Sequence, residues 1–251
     1  MREVAKDVFC VSGTDVNWVL LREGTDLTLI DGGWLGDLGT VEESIRAIGH
    51  RPEDVRAVLL THAHLDHMGA LNHLHERYGT PAFTDAAEVT HARGGHLEQA
   101  TPLDLIVRAW RPSVLAWSCR IVRAGATRHL RVPHAQPFPT DGPLDLPGRP
   151  VPVACHGHTS GHSAYHLPDS GVVATGDALV TGHPTAQRPG PQLLPPFFTR
   201  APEHALTALD VLGELPADIL VPGHGHPWRG PLSRAAAAAR VRALNPGKAP
   251  A

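Results

Sequence analysis

Thr61-His62-Ala63-His64-Leu65-Asp66-His67 follows directly on the apolar run Val58-Leu59-Leu60. Neutral imidazole nitrogen and carboxylate oxygen are the donors that divalent zinc, iron and manganese accept. Side chains two apart on an extended backbone share a face, so His62 and His64 are placed to bind one ion together. Asp66 and His67 come after the chain has begun to turn, which leaves them free to point at a second ion or a bound water. The chain holds 18 histidines, so a close pair alone would mean little. Four ligand-type residues in this order at the end of a strand carry much more weight.

Upstream, Val8–Val11, Trp18–Leu21 and Leu27–Ile30 are short β-rich runs split by Gly13 and Gly24, and the third ends at Asp31-Gly32-Gly33. Between about Gly39 and Gly49, Val41, Ile45 and Ile48 keep helical spacing, with Gly49 as the stop. Val55–Leu60 is the strand that delivers the histidines. Leu71, Leu74 and Tyr78 mark one face of a helix closing at Gly79.

From about Thr84 to Gly148 the pattern changes. Helices are expected near Asp85–Ala92, Thr101–Ala109 and Ser113–Ala124, followed by a proline-rich segment from Pro133 to Pro150. A connection needs no such length, so this stretch reads as an insertion serving as a lid or pocket wall. Beyond it come Val151–Ala154, a strand at Ala164–Leu167, the run Gly171–Asp177 and the run Ile219–Val221 leading into Pro222-Gly223-His224. Leu206, Leu209 and Leu212 mark a helix, Leu232–Leu244 a second, and a frayed tail is expected over Asn245–Ala251.

At 251 residues the chain is long enough for one large α/β domain or two small ones. With 42% hydrophobic and 19% charged residues it suits a water-soluble globular protein. A net charge of −3 gives no bulk attraction to nucleic acid or anionic membrane. Cys10, Cys119 and Cys155 are odd in number and widely spaced, which argues against a disulfide framework and for a reducing compartment. Met1–Lys6 has no apolar segment of the secretory kind and no long apolar run follows, so a cytoplasmic protein off the membrane is expected.

Five apolar runs end in a turn carrying an Asp or His, namely Asp31, His62, His158, Asp177 and His224, and glycine stands beside four of them. Such a pattern puts function along one edge of a sheet. With His62-Ala63-His64-Leu65-Asp66-His67 as HxHxDH, the chain resembles the metallo-β-lactamase superfamily. His156–His162 is similar to its GHTxGH segment, Thr175-Gly176-Asp177 to its GD segment, and Val221–Gly225 to its PGHG segment. The resemblance implies an α/β fold, a four-layer αββα sandwich forming a single domain over residues 1–251, with the helical and proline-rich insertion at about 84–148.

It also implies a site. His62, His64 and His158 would hold one ion; Asp66, His67 and His224 a second; Asp177 would bridge them. Zinc is the first expectation, with iron or manganese as alternatives. Asp66 doubles as the catalytic carboxylate that orients the nucleophile or takes its proton. Asp31 is similar to the family's acid that orients a ligand imidazole, and His162 is a candidate for the same duty. His73, His75, His91, His96, His129, His166 and His183 are expected at the surface or satisfied in the core, and His156 and His226 stay undecided.

The implied reaction is hydrolysis of a small carboxylic ester, thioester or lactone by water activated between two ions. The rivals are a persulfide dioxygenase-like oxidoreductase with one iron, a ribonuclease Z-like phosphodiesterase and a non-catalytic metal-binding module. Val180 stands where one group of acyl-homoserine lactonases has tyrosine, and a bridging Asp177 departs from the true β-lactamases. The sequence ends soon after His224, so the C-terminal helical domain of hydroxyacylglutathione hydrolases is not expected. A small acyl molecule is the expected partner, and nucleic acid is not; the oligomeric state is open.

Overall fold

The computed structural model describes residues 1–186 and 188–245. The first sheet takes its strands in chain order: β1 (Arg2–Ala5), β2 (Val8–Ser12), β3 (Asn17–Glu23), β4 (Asp26–Ile30), β5 (Val55–Leu59), β6 (Ala82–Thr84) and β7 (Gln136–Pro137). Its first four strands are antiparallel hairpins, and β4 to β7 run parallel. The parallel part needs crossovers, which α1 (Leu38–Ala47) and α2 (Leu71–Tyr78) supply. Helix α2 closes at Gly79 in the left-handed conformation, φ 74°, where the sequence places its stop.

The insertion carries α3 (Val89–Ala92), α4 (Pro102–Ile106) and α5 (Pro112–Ala124). Two of these are shorter than the sequence suggests. At the first, the Asp85 carboxylate accepts the Ala87 N–H in a turn, so helix begins only at Val89. The second stops at Ile106, where turns take over. The second sheet runs in spatial order β12 (Trp228–Arg229), β11 (Ile219–Pro222), β10 (Val172–Gly176), β9 (Ser163–Leu167), β8 (Val151–Ala154), backed by α6 (Pro202–Gly213) and α7 (Leu232–Leu244). Of the tail expected over Asn245–Ala251, residues 246–251 lie outside the described residues.

Strand alternation builds four layers. On β3, Trp18 and Leu20 join a cluster with Val41, Ile45, Leu71 and Leu74, the apolar faces of α1 and α2. Val19 and Leu21 point the other way, into a cluster shared with Tyr165, Leu167, Val172, Ala174 and Val221 of the second sheet. On β10, Val173 turns outward to Leu209, Leu212 and Ala235 of α6 and α7. Helix, sheet, sheet and helix therefore stack with an apolar layer at each boundary, an αββα sandwich. Both faces of the central strands are covered, which is why their sequences are unbroken apolar runs. Among the described residues no helix is long and apolar enough to cross a membrane.

Candidate metal centre

The sheets meet where Ser163 N–H donates to the Thr61 carbonyl at 2.9 Å, and there the strand ends converge. His62, His64, His158 and Asp177 form one group and Asp66, His67 and His224 another, with one potential ligand atom from each residue within 4.8 Å of the others in its group. Asp177 faces both groups. Its Oδ2 lies 3.5 Å from His158 Nε2 and 3.2 Å from His224 Nε2, and its Oδ1 lies 3.6 Å from His67 Nε2. Gly223 permits this placement, since a Cβ there would stand 2.3 Å from Asp177 Oδ1.

Hydrogen bonds behind the rings set which nitrogens face inward. His64 Nε2–H donates to the Glu98 carbonyl at 2.6 Å, His67 Nδ1–H to Asp31 Oδ2 at 2.8 Å and His224 Nδ1–H to the Asp15 carbonyl at 2.5 Å. The Thr61 hydroxyl donates to Asp31 at 2.8 Å, which leaves its oxygen to accept from His62 Nδ1–H at 3.0 Å. Whenever one of these rings is neutral, its other nitrogen is a bare lone pair aimed into the centre. His158 Nε2 meets His62 Nε2 at 3.2 Å and His64 Nδ1 at 3.1 Å, and His67 Nε2 and Asp177 Oδ1 are buried without a hydrogen-bond partner among the described residues. Converging lone pairs and orphaned donors of this kind fit a divalent cation in each group.

Asp31 serves His67 and, through Thr61, His62. It does so from a left-handed backbone, φ 62°, which is uncommon for a residue with a side chain. Burial pushes the imidazoles of His62 and His158 well below their ordinary range and lowers His64. Burial also disfavours the charged form of His67, but Asp31, Asp66 and Asp177 overcome it and raise the group to about 10. Burial works against ionised Asp177 as well, yet His224 and His67 hold its carboxyl well below the usual range. A cluster that draws negative charge and keeps three imidazoles neutral suits cation binding.

His162 sits behind this group. Its Nε2 accepts the Asp177 N–H at 3.0 Å, and burial lowers it to about 4. His91 is satisfied in the core, as expected, donating through Nδ1 to Glu88 and accepting from Glu98 N–H. His183 reaches further than expected: its ring lies 4.8 Å from that of His224, while its Nδ1 pairs with the Thr185 hydroxyl at 2.6 Å. Sequence reasoning missed Glu88 and Glu98, which are buried behind the turns that carry His64 and His158. Single acids in an irregular segment have no spacing signal.

Through α5 the insertion makes two further approaches to the centre. Arg120 of α5 grips the Asp15 carboxylate with two hydrogen bonds, at 2.7 and 3.2 Å, and the Asp15 carbonyl holds His224. Trp117 packs on Val16 and Trp34, with its ring 5.1 Å from His183 and 6.0 Å from Phe198. Beside it a cavity of about 620 Å³ is lined by Trp110, Val114, Leu194 and Phe197 together with Arg108, Arg111, Arg188 and Arg242. No candidate metal ligand lines it.

Comparison with known proteins agrees with this geometry. The family model of the metallo-β-lactamase superfamily matches residues 11–224, and the chain belongs to that superfamily. It is 26% identical over 219 residues to a probable metallo-hydrolase, YflN, of Bacillus subtilis (strain 168), covering 84% of this chain and 80% of the relative. It is 28% identical over 154 residues to a hydroxyacylglutathione hydrolase of Cereibacter sphaeroides, covering 57% of this chain and 46% of that protein. The fold is similar to a metallo-β-lactamase family protein from Thermus thermophilus, with TM-score 0.65, 24% identity, and coverage of 96% of this chain and 81% of the other.

Proposed function

We propose that the protein is a dinuclear metal-dependent hydrolase of small carboxylic esters, thioesters or lactones, with zinc as the first metal to test and iron or manganese as alternatives. The observation that carries this reading is the pair of adjoining ligand groups with Asp177 facing both. His62, His64 and His158 would hold one ion, Asp66, His67 and His224 the other, and Asp177 both. When bound, such a pair supplies Lewis acidity and a nucleophilic water near neutral pH.

The chain's own residues do the rest. Asp66 is the most open of the seven, its side chain 15% exposed, with Oδ2 3.4 Å from His224 Nε2. From there it can orient a nucleophile and accept its proton. His67 and His62 are held against rotation by Asp31 and Thr61. Membership of the superfamily supports metal-dependent hydrolysis, and the match to a hydroxyacylglutathione hydrolase supports an acyl bond as its target. A single domain is part of this reading, because each group takes ligands from both sheets. Free Cys10, Cys119 and Cys155 support a reducing compartment such as the cytoplasm.

Elemental analysis of protein expressed with added zinc should approach two equivalents per chain. Seven protein ligands are too many for one ion of tetrahedral or five-coordinate geometry. A saturated content of one iron, with oxygen consumed in the presence of a persulfide, would overturn the hydrolase reading in favour of an oxidoreductase.

A further inference from the structure

Glu88 lies just before α3, inside the insertion, and its side chain has no exposure to solvent. An ionised carboxylate in such a place is expensive unless donors surround it. Four do. Its Oε1 accepts the Ala63 N–H at 2.8 Å and His91 Nδ1–H at 2.8 Å; its Oε2 accepts the Thr159 hydroxyl at 2.9 Å and the Gly161 N–H at 2.8 Å. Burial would raise the carboxyl, but these donors, His91 foremost, lower it to about 2, so it is a full anion at neutral pH.

The identity of the donors matters more than their number. Ala63 stands between His62 and His64, Thr159 follows His158, and Gly161 precedes His162. Three of the four bonds therefore go to the two turns that carry the first ligand group, one from each sheet. A carboxylate serving only its own segment would take its donors there, as it does from His91. The approach is also close: a Cβ on Gly161 would stand 2.3 Å from the Glu88 nitrogen. Glu98 adds a neighbouring tie, with Oε2 accepting the Ser160 N–H at 2.7 Å while its own carbonyl holds His64.

We infer that Glu88 is a positioning residue for the metal centre, a staple that holds the His62–His64 turn and the His158–His162 turn at the spacing one ion requires. This rests on the reading of those residues as ligands. The Asp66–His67–His224 group receives none of its four bonds. Loss of Glu88 should therefore weaken one ion and spare the other.

The test is Glu88→Gln, in metal-free protein titrated with zinc against a chromophoric chelator. An amide has one accepting oxygen and one NH2, so either orientation turns the NH2 towards two donors. Relative to wild type, one equivalent should weaken by about 10–100-fold, the usual size of a loss behind the ligands, while the second stays within a few-fold. Thr159→Val removes one bond of the four and should weaken the same equivalent by less; it carries the test if Glu88→Gln does not fold. Circular dichroism and urea midpoints of the metal-free variants separate affinity from stability. A lowered midpoint with unchanged zinc affinity in the folded protein would reduce Glu88 to a core residue and overturn the inference. Wild-type protein that takes up no metal would sink the proposed function and this inference together. Wild-type uptake unchanged in both variants would sink this inference alone.

Discussion

Asp177 contacts both ligand groups through a single carboxylate, and its removal should be the most damaging change at the centre. On the proposed reading Asp177→Ala is expected to lose bound metal as well as turnover, because the shared negative charge that would offset two nearby cations goes with it. Asp31→Ala should be milder, about 10–100-fold in metal affinity or activity, since Asp31 touches imidazole and hydroxyl rather than the ligand point. Metal content and turnover of the two variants, measured side by side, check the ranking. Two ions and full rate in Asp177→Ala would remove it from the bridging position.

Glu88 also makes a pH prediction that needs no metal. Its carboxyl is lowered from 4.5 to about 2 in the folded protein. A depressed carboxyl contributes stability in full above the unfolded value, and the contribution disappears as pH falls from about 4.5 towards about 2. At about 1.4 kcal/mol per unit, the contribution is on the order of 3 kcal/mol. In chelated protein, the gap in urea midpoint between wild type and Glu88→Gln should be wide at pH 6 and narrow on acidification. A constant gap across that window would contradict it. The histidines of HxHxDH could be read from their close spacing, whereas Glu88 acts through distant residues that only folding brings to it.

At the scale of elements, α5 is the longest helix of the insertion and carries its contacts with Asp15 and His183. Pro112 opens it, and Val114, Trp117, Ile121 and Ala124 form its buried face. The sequence placed this helix almost to the residue because it has that face. The irregular stretches around it could not be read so closely, since turns such as the one at Asp85 replace helical spacing. Trp117 is 5% exposed and Trp110 81%. Trp117→Ala should cost about 3–5 kcal/mol of stability, and Trp110→Ala about 0.5 or less. Both are to be assayed with esters, thioesters and lactones of increasing chain length. We predict an altered length preference in at least one, with metal content unchanged; an unaltered preference in both folded variants would leave α5 and the turn before it without a part in substrate choice.

In the whole molecule, the strands buried on both faces were legible as apolar runs, and β2 to β5 and β9 to β11 fall where those runs lie. The strands β1, β6, β7 and β12 are two to four residues long, too short for a period to show. Their existence depends on a neighbouring edge. The order of layers is likewise a tertiary fact: nothing local says that Val19 faces the second sheet and Trp18 the helices.

The first sheet uses only residues before 138 and the second only residues after 150. The polypeptide is thus two consecutive half-molecules, and neither holds a complete ligand group: His62, His64, Asp66 and His67 belong to one, His158, Asp177 and His224 to the other. The covalent link between them passes exposed Asp141 and contributes no ligand. Cutting the chain there would make every bound ion a bridge between two fragments. Their reassociation would then track free metal, strengthening by about 2.7 kcal/mol for one ion present at a hundred times its dissociation constant and loosening on chelation.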